Sequence, residues 1–130
     1  MRHVFQQHYT LDEARAELPQ MRAWFDEIDD LTTRVREADE ELRPQLASGA
    51  DLGGRLVSKQ IRHMNRVQSI LKEFHRRQIE VKDLQRGLID FPAILDDREV
   101  LLCWERSEED ITCWHTLESG FAGRQPLWAA

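Results

Sequence analysis

The 130-residue sequence predicts an α+β protein: a long antiparallel two-helix hairpin, coiled-coil-like and kinked near Pro19, followed by a small antiparallel β-sheet module. Three observations predict it. Apolar residues step three and four apart through two long segments, the signature of helices packed lengthwise. After Gln78 the period changes to alternation, the signature of half-buried strands. Charge is also segregated along the chain, with a net of −6 over residues 11–46, +5 over 51–82 and −6 over 83–130. The length suits one domain, 1–130, organised as a helical hairpin over 10–82 and a β module with its tail over 83–130.

The first helix opens on a capping box, Thr10-Leu11-Asp12-Glu13, in which side chain and backbone at each end satisfy one another. Leu11, Ala14, Leu18, Met21, Phe25 and Ile28 then mark its buried stripe. The same steps run on through Thr32, Val35, Asp39, Leu42 and Leu46, so the seam carries two polar positions. Pro19 lacks a backbone donor and biases Leu18 away from helical dihedrals. A short segment near 11–17 and a long one near 19–46 are therefore expected, the latter about 40 Å long at 1.5 Å per residue. Ser48-Gly49-Ala50-Asp51 with Gly53-Gly54 reads as the hairpin turn. The second helix carries Val57, Ile61, Met64, Val67, Leu71 and Phe74 along one side.

Antiparallel pairing sets the bases of the second helix, Arg55, Lys59, Arg62 and Arg66, against Asp26, Glu27, Asp29, Asp30, Glu37, Glu40 and Glu41 of the first. Exposed pairs of this kind contribute only tenths of a kcal/mol each and serve register more than stability. The same basic stripe could track phosphates, but its acidic partner lies in the same chain and no aromatics interleave. The balance excludes nucleic acid as the expected partner.

Residues Ile79-Glu80-Val81-Lys82-Asp83-Leu84 read as a short strand, and Leu88-Ile89-Asp90-Phe91 as a second that Pro92 ends. Asp96-Asp97-Arg98 is a turn signal, and Val100–Trp104 with Ile111–His115 make the clearest hairpin. The tail from Gly120 to Leu127 is unusually apolar for a loop and is expected to pack back on the sheet. His3-Val4-Phe5 offers an additional edge strand.

The N-terminus has no apolar signal-like run, and no stretch approaches the roughly 18 apolar residues that span a bilayer. The expected location is the cytoplasm, with Cys103 and Cys113 as thiols.

Chemistry-bearing residues concentrate late in the chain. Asp90, Cys103, Glu108 and His115 supply carboxylate, thiolate and imidazole, the donors that a divalent metal such as zinc takes, and Arg124 lies downstream. Their spacing matches no short ligand motif. The alternative reading makes His115 a hydrogen-bonded sheet residue, Cys103 a small core residue and Asp90–Arg124 an ion pair. Parity supplies a test. Paired residues of a hairpin share a face, so only an odd loop count or a bulge puts Cys103 and His115 together. A Cys103–His115 nucleophilic pair lacks a visible orienting group, and no serine sits in a nucleophile elbow. Trp104 and Trp114, with Trp128, Phe91 and Phe121, read either as a mini-core for a thin sheet or as a recognition surface.

Gly87-Leu88-Ile89-Asp90-Phe91-Pro92, Leu102-Cys103-Trp104, Trp114-His115 and Gly120-Phe121-Ala122-Gly123-Arg124-Gln125-Pro126-Leu127 resemble the family of uncharacterised bacterial proteins called domain of unknown function 2203. Thr10-Leu11-Asp12-Glu13-Ala14 with Leu18-Pro19 resembles its opening, so the likeness spans nearly the whole chain. It implies a small cytoplasmic bacterial protein of helices plus a β module and brings no substrate or reaction. The chain departs from the family pattern at Ser107, where that pattern has a glycine, and at Cys113, where it has an aromatic residue.

Two functions remain in view. The first is a self-associating structural or interaction protein, a homo-dimer or higher homo-oligomer formed through the helices. Its extra apolar positions are Trp24, Leu31 and Ile70. The second is a metal- or small-ligand-binding protein, a hydrolase-type enzyme at its furthest reach, with its site near Asp90, Cys103, His115 and Arg124. The reading leans away from an enzyme.

Overall fold

A computed structural model describes residues 2–47, 49 and 53–128. Helix α1 spans Leu11–Ala47 and α2 spans Gly53–Arg76. Five strands follow: β1 Glu80–Asp83, β2 Leu88–Leu95, β3 Arg98–Glu105, β4 Cys113–Thr116 and β5 Gln125–Pro126. The fold is α+β. By mutual packing the chain divides into two compact units, Met1–Arg22 with Glu73–Ala130, and Ala23–Lys72. No helix among the described residues is long and apolar enough to cross a membrane.

The unit Ala23–Lys72 is a helical pair. Arg66 Nε donates to Glu27 at 2.5 Å and Gln60 bonds Asp39, so residue numbers fall along one helix as they rise along the other. The two helices are therefore antiparallel. The seam differs from the expected one. On α1 it takes Phe25, Ile28, Leu31 and Leu42, all buried, while Thr32 turns outward and returns its hydroxyl to the Ile28 carbonyl. On α2, Gln60 and His63 face α1 residues across a polar cavity, and Ile70 is buried. Val57, Ile61 and Met64, expected in that seam, are exposed at 44%, 52% and 55%. Conversely Leu31 and Ile70, expected as leftover apolar surface, are buried and Trp24 is half-buried. A straight helix drifts against a strict seven-residue repeat, and a strip one residue to the side wins once the partner helix is in place.

The expected turn at Ser48-Gly49-Ala50-Asp51 lies, Gly49 apart, outside the described residues, as do the side chains of Leu46 and Arg55. Gly53 and Gly54 belong to the first turn of α2 rather than to that loop.

In the other unit the capping box forms as expected. The Glu13 amide donates to Thr10 Oγ1 at 3.1 Å, and the Thr10 amide to Glu13 Oε1 at 2.9 Å. The backbone bond from Thr10 holds the Glu13 carboxyl below its usual range. Helical structure continues through Pro19 with no division at Leu18. Buried Ala14, Leu18 and Met21 flank the proline, and their packing outweighs the roughly 3 kcal/mol that an interior proline costs.

The sheet is antiparallel in the order β1-β2-β3-β4-β5, so each strand neighbours the next in sequence. Asp96 and Asp97 join β2 to β3 with φ of 51° and 62°, the two-residue primed turn that matches strand twist. Gly87 enters β2 at φ +67°, and a Cβ there would lie 2.6 Å from Arg106 Cβ, so only glycine fits.

Pro92 does not end β2, which continues to Leu95. Its carbonyl accepts from the Tyr9 amide at 2.7 Å, beyond the last β1 pair at Asp90. In an antiparallel strand the N and O of one residue point to the same side. The missing N–H of Pro92 therefore lies on that side, and the ladder to β3 loses nothing. Ser107 is not at positive φ, in keeping with the absence of a glycine there. The tail packs back as β5 on β4 after a single 3-10 turn at Phe121–Gly123. His3-Val4-Phe5 forms no strand; the Glu99 carboxylate instead takes the amides of Val4 and Phe5 and the ring of His8.

Candidate functional site

Strand register sorts the chemistry-bearing residues. Asp90 pairs with Cys103, Cys103 with Cys113, and Leu101 with His115. Paired residues share a face and alternate residues return to it. Nine residues, 104–112, separate the paired Cys103 and Cys113, so the loop count is odd. Asp90, Cys103, Cys113 and His115 therefore occupy one face of three adjacent strands. Ile89, Phe91, Leu102, Trp104 and Trp114 occupy the other.

On the first face, ligand atoms of Asp90, Cys103 and His115 all lie within 4.8 Å of one another. All three residues are buried, at 1%, 1% and 3% exposure. His115 Nδ1 donates to the Thr116 carbonyl at 2.8 Å. A carbonyl only accepts, so the proton sits on Nδ1 and the tautomer is set. His115 Nε2 meets Asp90 Oδ2 at 3.0 Å, with one proton between them. Among the described residues Asp90 Oδ1 is buried with no hydrogen-bond partner.

Burial pushes the Asp90 carboxyl above its usual range, against the pull of His115 and Lys82. Burial likewise pushes the Cys103 thiol up to about 12, reinforced by the Asp90 charge and opposed by Arg124. At neutral pH Cys103 is a thiol, and a thiol is a poor nucleophile. A cleft of about 160 Å³ opens beside the group, lined in part by Lys82, Leu117, Ser119, Gly120 and Phe121.

Glu108 stands outside this group. Its carboxylate takes two bonds from Arg124 Nη2, at 2.9 and 2.7 Å, and one from the Glu105 amide at 2.8 Å. The expected Asp90–Arg124 pair is therefore replaced by Asp90–His115 and Glu108–Arg124. Arg124 also lies over Phe121 at 4.6 Å, and Arg86 lies against the same ring at 4.5 Å. The stack fastens the 117–123 segment beside the cleft.

Trp104 is fully buried on the apolar face, its Nε1 donating to the Glu108 carbonyl at 3.0 Å and Arg22 lying over its ring at 5.0 Å. Trp114 is half-buried with Arg98 over it at 5.6 Å. Trp128 is 52% exposed. Of the aromatics, then, Trp104 and Phe91 build the core and the others rim the sheet.

Lys82, Ser119 and Arg22 were not singled out by the sequence. Lys82 alternates with Glu80 on a strand, and no local spacing marks it as a cleft residue. Arg22 donates to the carbonyls of Arg106, Glu108 and Glu109, contacts 84 to 87 residues away along the chain. A second group, His3, His8 and Glu99, also brings its ligand atoms within 4.8 Å. There Glu99 is already satisfied by three donors, and the group ties down the N-terminal segment.

Chemically, the buried trio offers an oxygen, a sulfur and a nitrogen to one point, with the histidine tautomer set by a backbone carbonyl. That arrangement is the usual support of a metal-bound imidazole.

No curated protein and no solved structure matches the chain. The model of the family described as "Uncharacterized conserved protein (DUF2203)" matches residues 7–127, so the two helices and the sheet with its buried Asp90–Cys103–His115 face are those of a chain that belongs to this family.

Proposed function

We propose that the β module binds one divalent transition metal of the zinc type through Asp90, Cys103 and His115. The observation that carries the reading is the convergence of three unlike donors, all buried, with Asp90 Oδ1 lacking any hydrogen-bond partner among the described residues. Burying a carboxyl and a thiol side by side is costly. A cation offsets that cost by accepting both as anions. Three protein ligands beside a cleft leave a fourth position for water or a small ligand. The raised Cys103 argues against a cysteine hydrolase, so binding rather than thiol catalysis is the activity. A thiol ligand suits the reducing cytoplasm.

The test is zinc titration of chain purified without a His tag, in competition with a chromophoric chelator. One equivalent binds; Cys103→Ser and His115→Gln each lower affinity at least about 100-fold, the upper end of what loss of an outer-shell partner alone costs. Glu108→Gln leaves it unchanged. Wild-type binding no tighter than that of a Cys103→Ser/His115→Gln chain ends the reading.

A second reading concerns the helical pair. Val57, Ile61 and Met64 stand exposed at helical spacing, and bases such as Lys59 and Arg62 flank them. A second copy suits this stripe, because its α1 carries the acids Glu37, Glu40 and Glu41 that complement those bases. Light scattering gives a dimer or larger at micromolar concentration, and Ile61→Lys with Met64→Lys returns it to monomer. A monomeric wild type disposes of this reading.

A further inference from the structure

Cys113 lies next to the proposed centre and is not one of its three ligands. It is the direct cross-strand partner of Cys103, so the two side chains leave the same face of β3 and β4. Both are free thiols, one buried and one half-buried. Pro92 turns its backbone away from β3, so by alternation Cys103 faces β4 and Cys103–Cys113 is a hydrogen-bonded pair, its Cα atoms about 5.5 Å apart. Disulfides accept Cα separations of about 4.4–6.8 Å. Opposed Cβ atoms start about 4.5–5.5 Å apart and must come within about 4.5 Å. The backbone fixes each Cβ, so closure requires β4 to shift toward β3 by about 1 Å. Asp90 lies within electrostatic reach of the Cys103 thiol, and the guanidinium of Arg124 within electrostatic reach of both sulfurs.

We propose that Cys113 and Cys103 are a peroxide-oxidised cross-strand pair whose disulfide removes the sulfur ligand and releases the metal. The inference rests on the metal reading for its consequence, while the disulfide itself does not. Accessible Cys113 reacts first: its sulfur displaces water from hydrogen peroxide and becomes a sulfenic acid. Cys103 sulfur then attacks the Cys113 sulfur and expels hydroxide, which leaves as water. In the metal-free chain Asp90 takes the Cys103 proton as the sulfur attacks and hands it to the departing hydroxide; in the loaded chain the sulfur–metal bond breaks instead and the cation departs. In the metal-free chain two thiols lose two hydrogens and one peroxide becomes two waters. In the loaded chain Cys103 is already a thiolate, so the proton that completes the second water comes from solvent. Reduction by a dithiol restores the site.

The experiment treats full-length chain, zinc-loaded and zinc-free, with hydrogen peroxide. It reads intact mass, peptide maps and zinc release to a chromophoric chelator. The zinc-free wild type loses two hydrogens in mass, mapped to Cys103–Cys113, and the loaded chain releases its zinc. Cys113→Ser binds zinc with wild-type affinity, which also shows that it folds, and releases it at least about tenfold more slowly. Cys113 oxidised to sulfinic acid with no disulfide overturns the proposal, as does zinc release from Cys113→Ser at the wild-type rate. If the wild type binds no zinc, the metal reading fails alone, and the disulfide stands or falls on the zinc-free mass.

Discussion

The two faces of the sheet are both buried, yet only one carries buried ionisable side chains. Phe91, Leu102 and Trp104 on one face are 0–3% exposed, and so are Asp90, Cys103 and His115 on the other. On the first face burial is itself the source of stability, at roughly 25 cal/mol per Å² of apolar surface. On the second, burial raises the energy of every charged form and is recovered only through the Asp90–His115 bond and whatever else reaches Oδ1. The same strands thus carry a stabilising face and an expensive one, and the expensive face adjoins the cleft.

The largest expected effect falls on the apolar face. Trp104→Ala removes the largest fully buried side chain and its bond to the Glu108 carbonyl, for a loss of about 3–5 kcal/mol in denaturant unfolding. A loss below about 1 kcal/mol would break the comparison.

Alkaline pH probes the polar face. Cys103 is raised from 9.0 to about 12, so its thiol form is favoured by folding. That contribution is fully present below pH 9 and is lost as pH rises toward 12. It amounts to at most about 4 kcal/mol at 1.36 kcal/mol per unit. Metal-free Cys103→Ala should show a correspondingly flatter decline between pH 9 and 12 than wild type. Identical pH slopes would count against a buried thiol.

Replacing the polar pair tests what it is for. Asp90→Val with His115→Leu leaves metal-free stability within about 1 kcal/mol of wild type or raises it, since apolar pairs commonly match buried ionic ones. Zinc binding is lost in the same chain. A destabilisation as large as that of Trp104→Ala would make the two faces alike.

The smallest effect concerns the turn that sets which residues share a face. Asp97 holds φ of 62°, and Asp97→Gly relieves it for a gain of about 0.5 kcal/mol in thermal unfolding. A loss would mean that the Asp97 side chain contributes more than its backbone costs.

Much of this was legible beforehand. Alternation from Ile79, the Asp96-Asp97 turn and the Thr10–Glu13 box depend on neighbours in sequence, and each formed. The site was half legible: Asp90, Cys103 and His115 were named together, but Glu108 was grouped with them and Arg124 was paired with the wrong acid. Donor types are visible in a sequence; which acid meets which base depends on strand register and on a seven-residue loop, 106–112, whose path local chemistry does not specify. Pro92 was misread for a related reason. A proline ends a strand only if its missing donor faces a partner, and the side it faces is a property of the assembled sheet.

By itself, then, the sequence determined the kinds and order of elements, because periodicity, caps and turn residues act over a few residues. Tertiary structure decided which strip of α2 is covered, leaving Val57, Ile61 and Met64 exposed. It also decided that His115 rather than Arg124 meets Asp90. Burial and pairing are properties of groups brought together from distant positions, and the free energy that selects among such pairings exists only once the chain has closed around them.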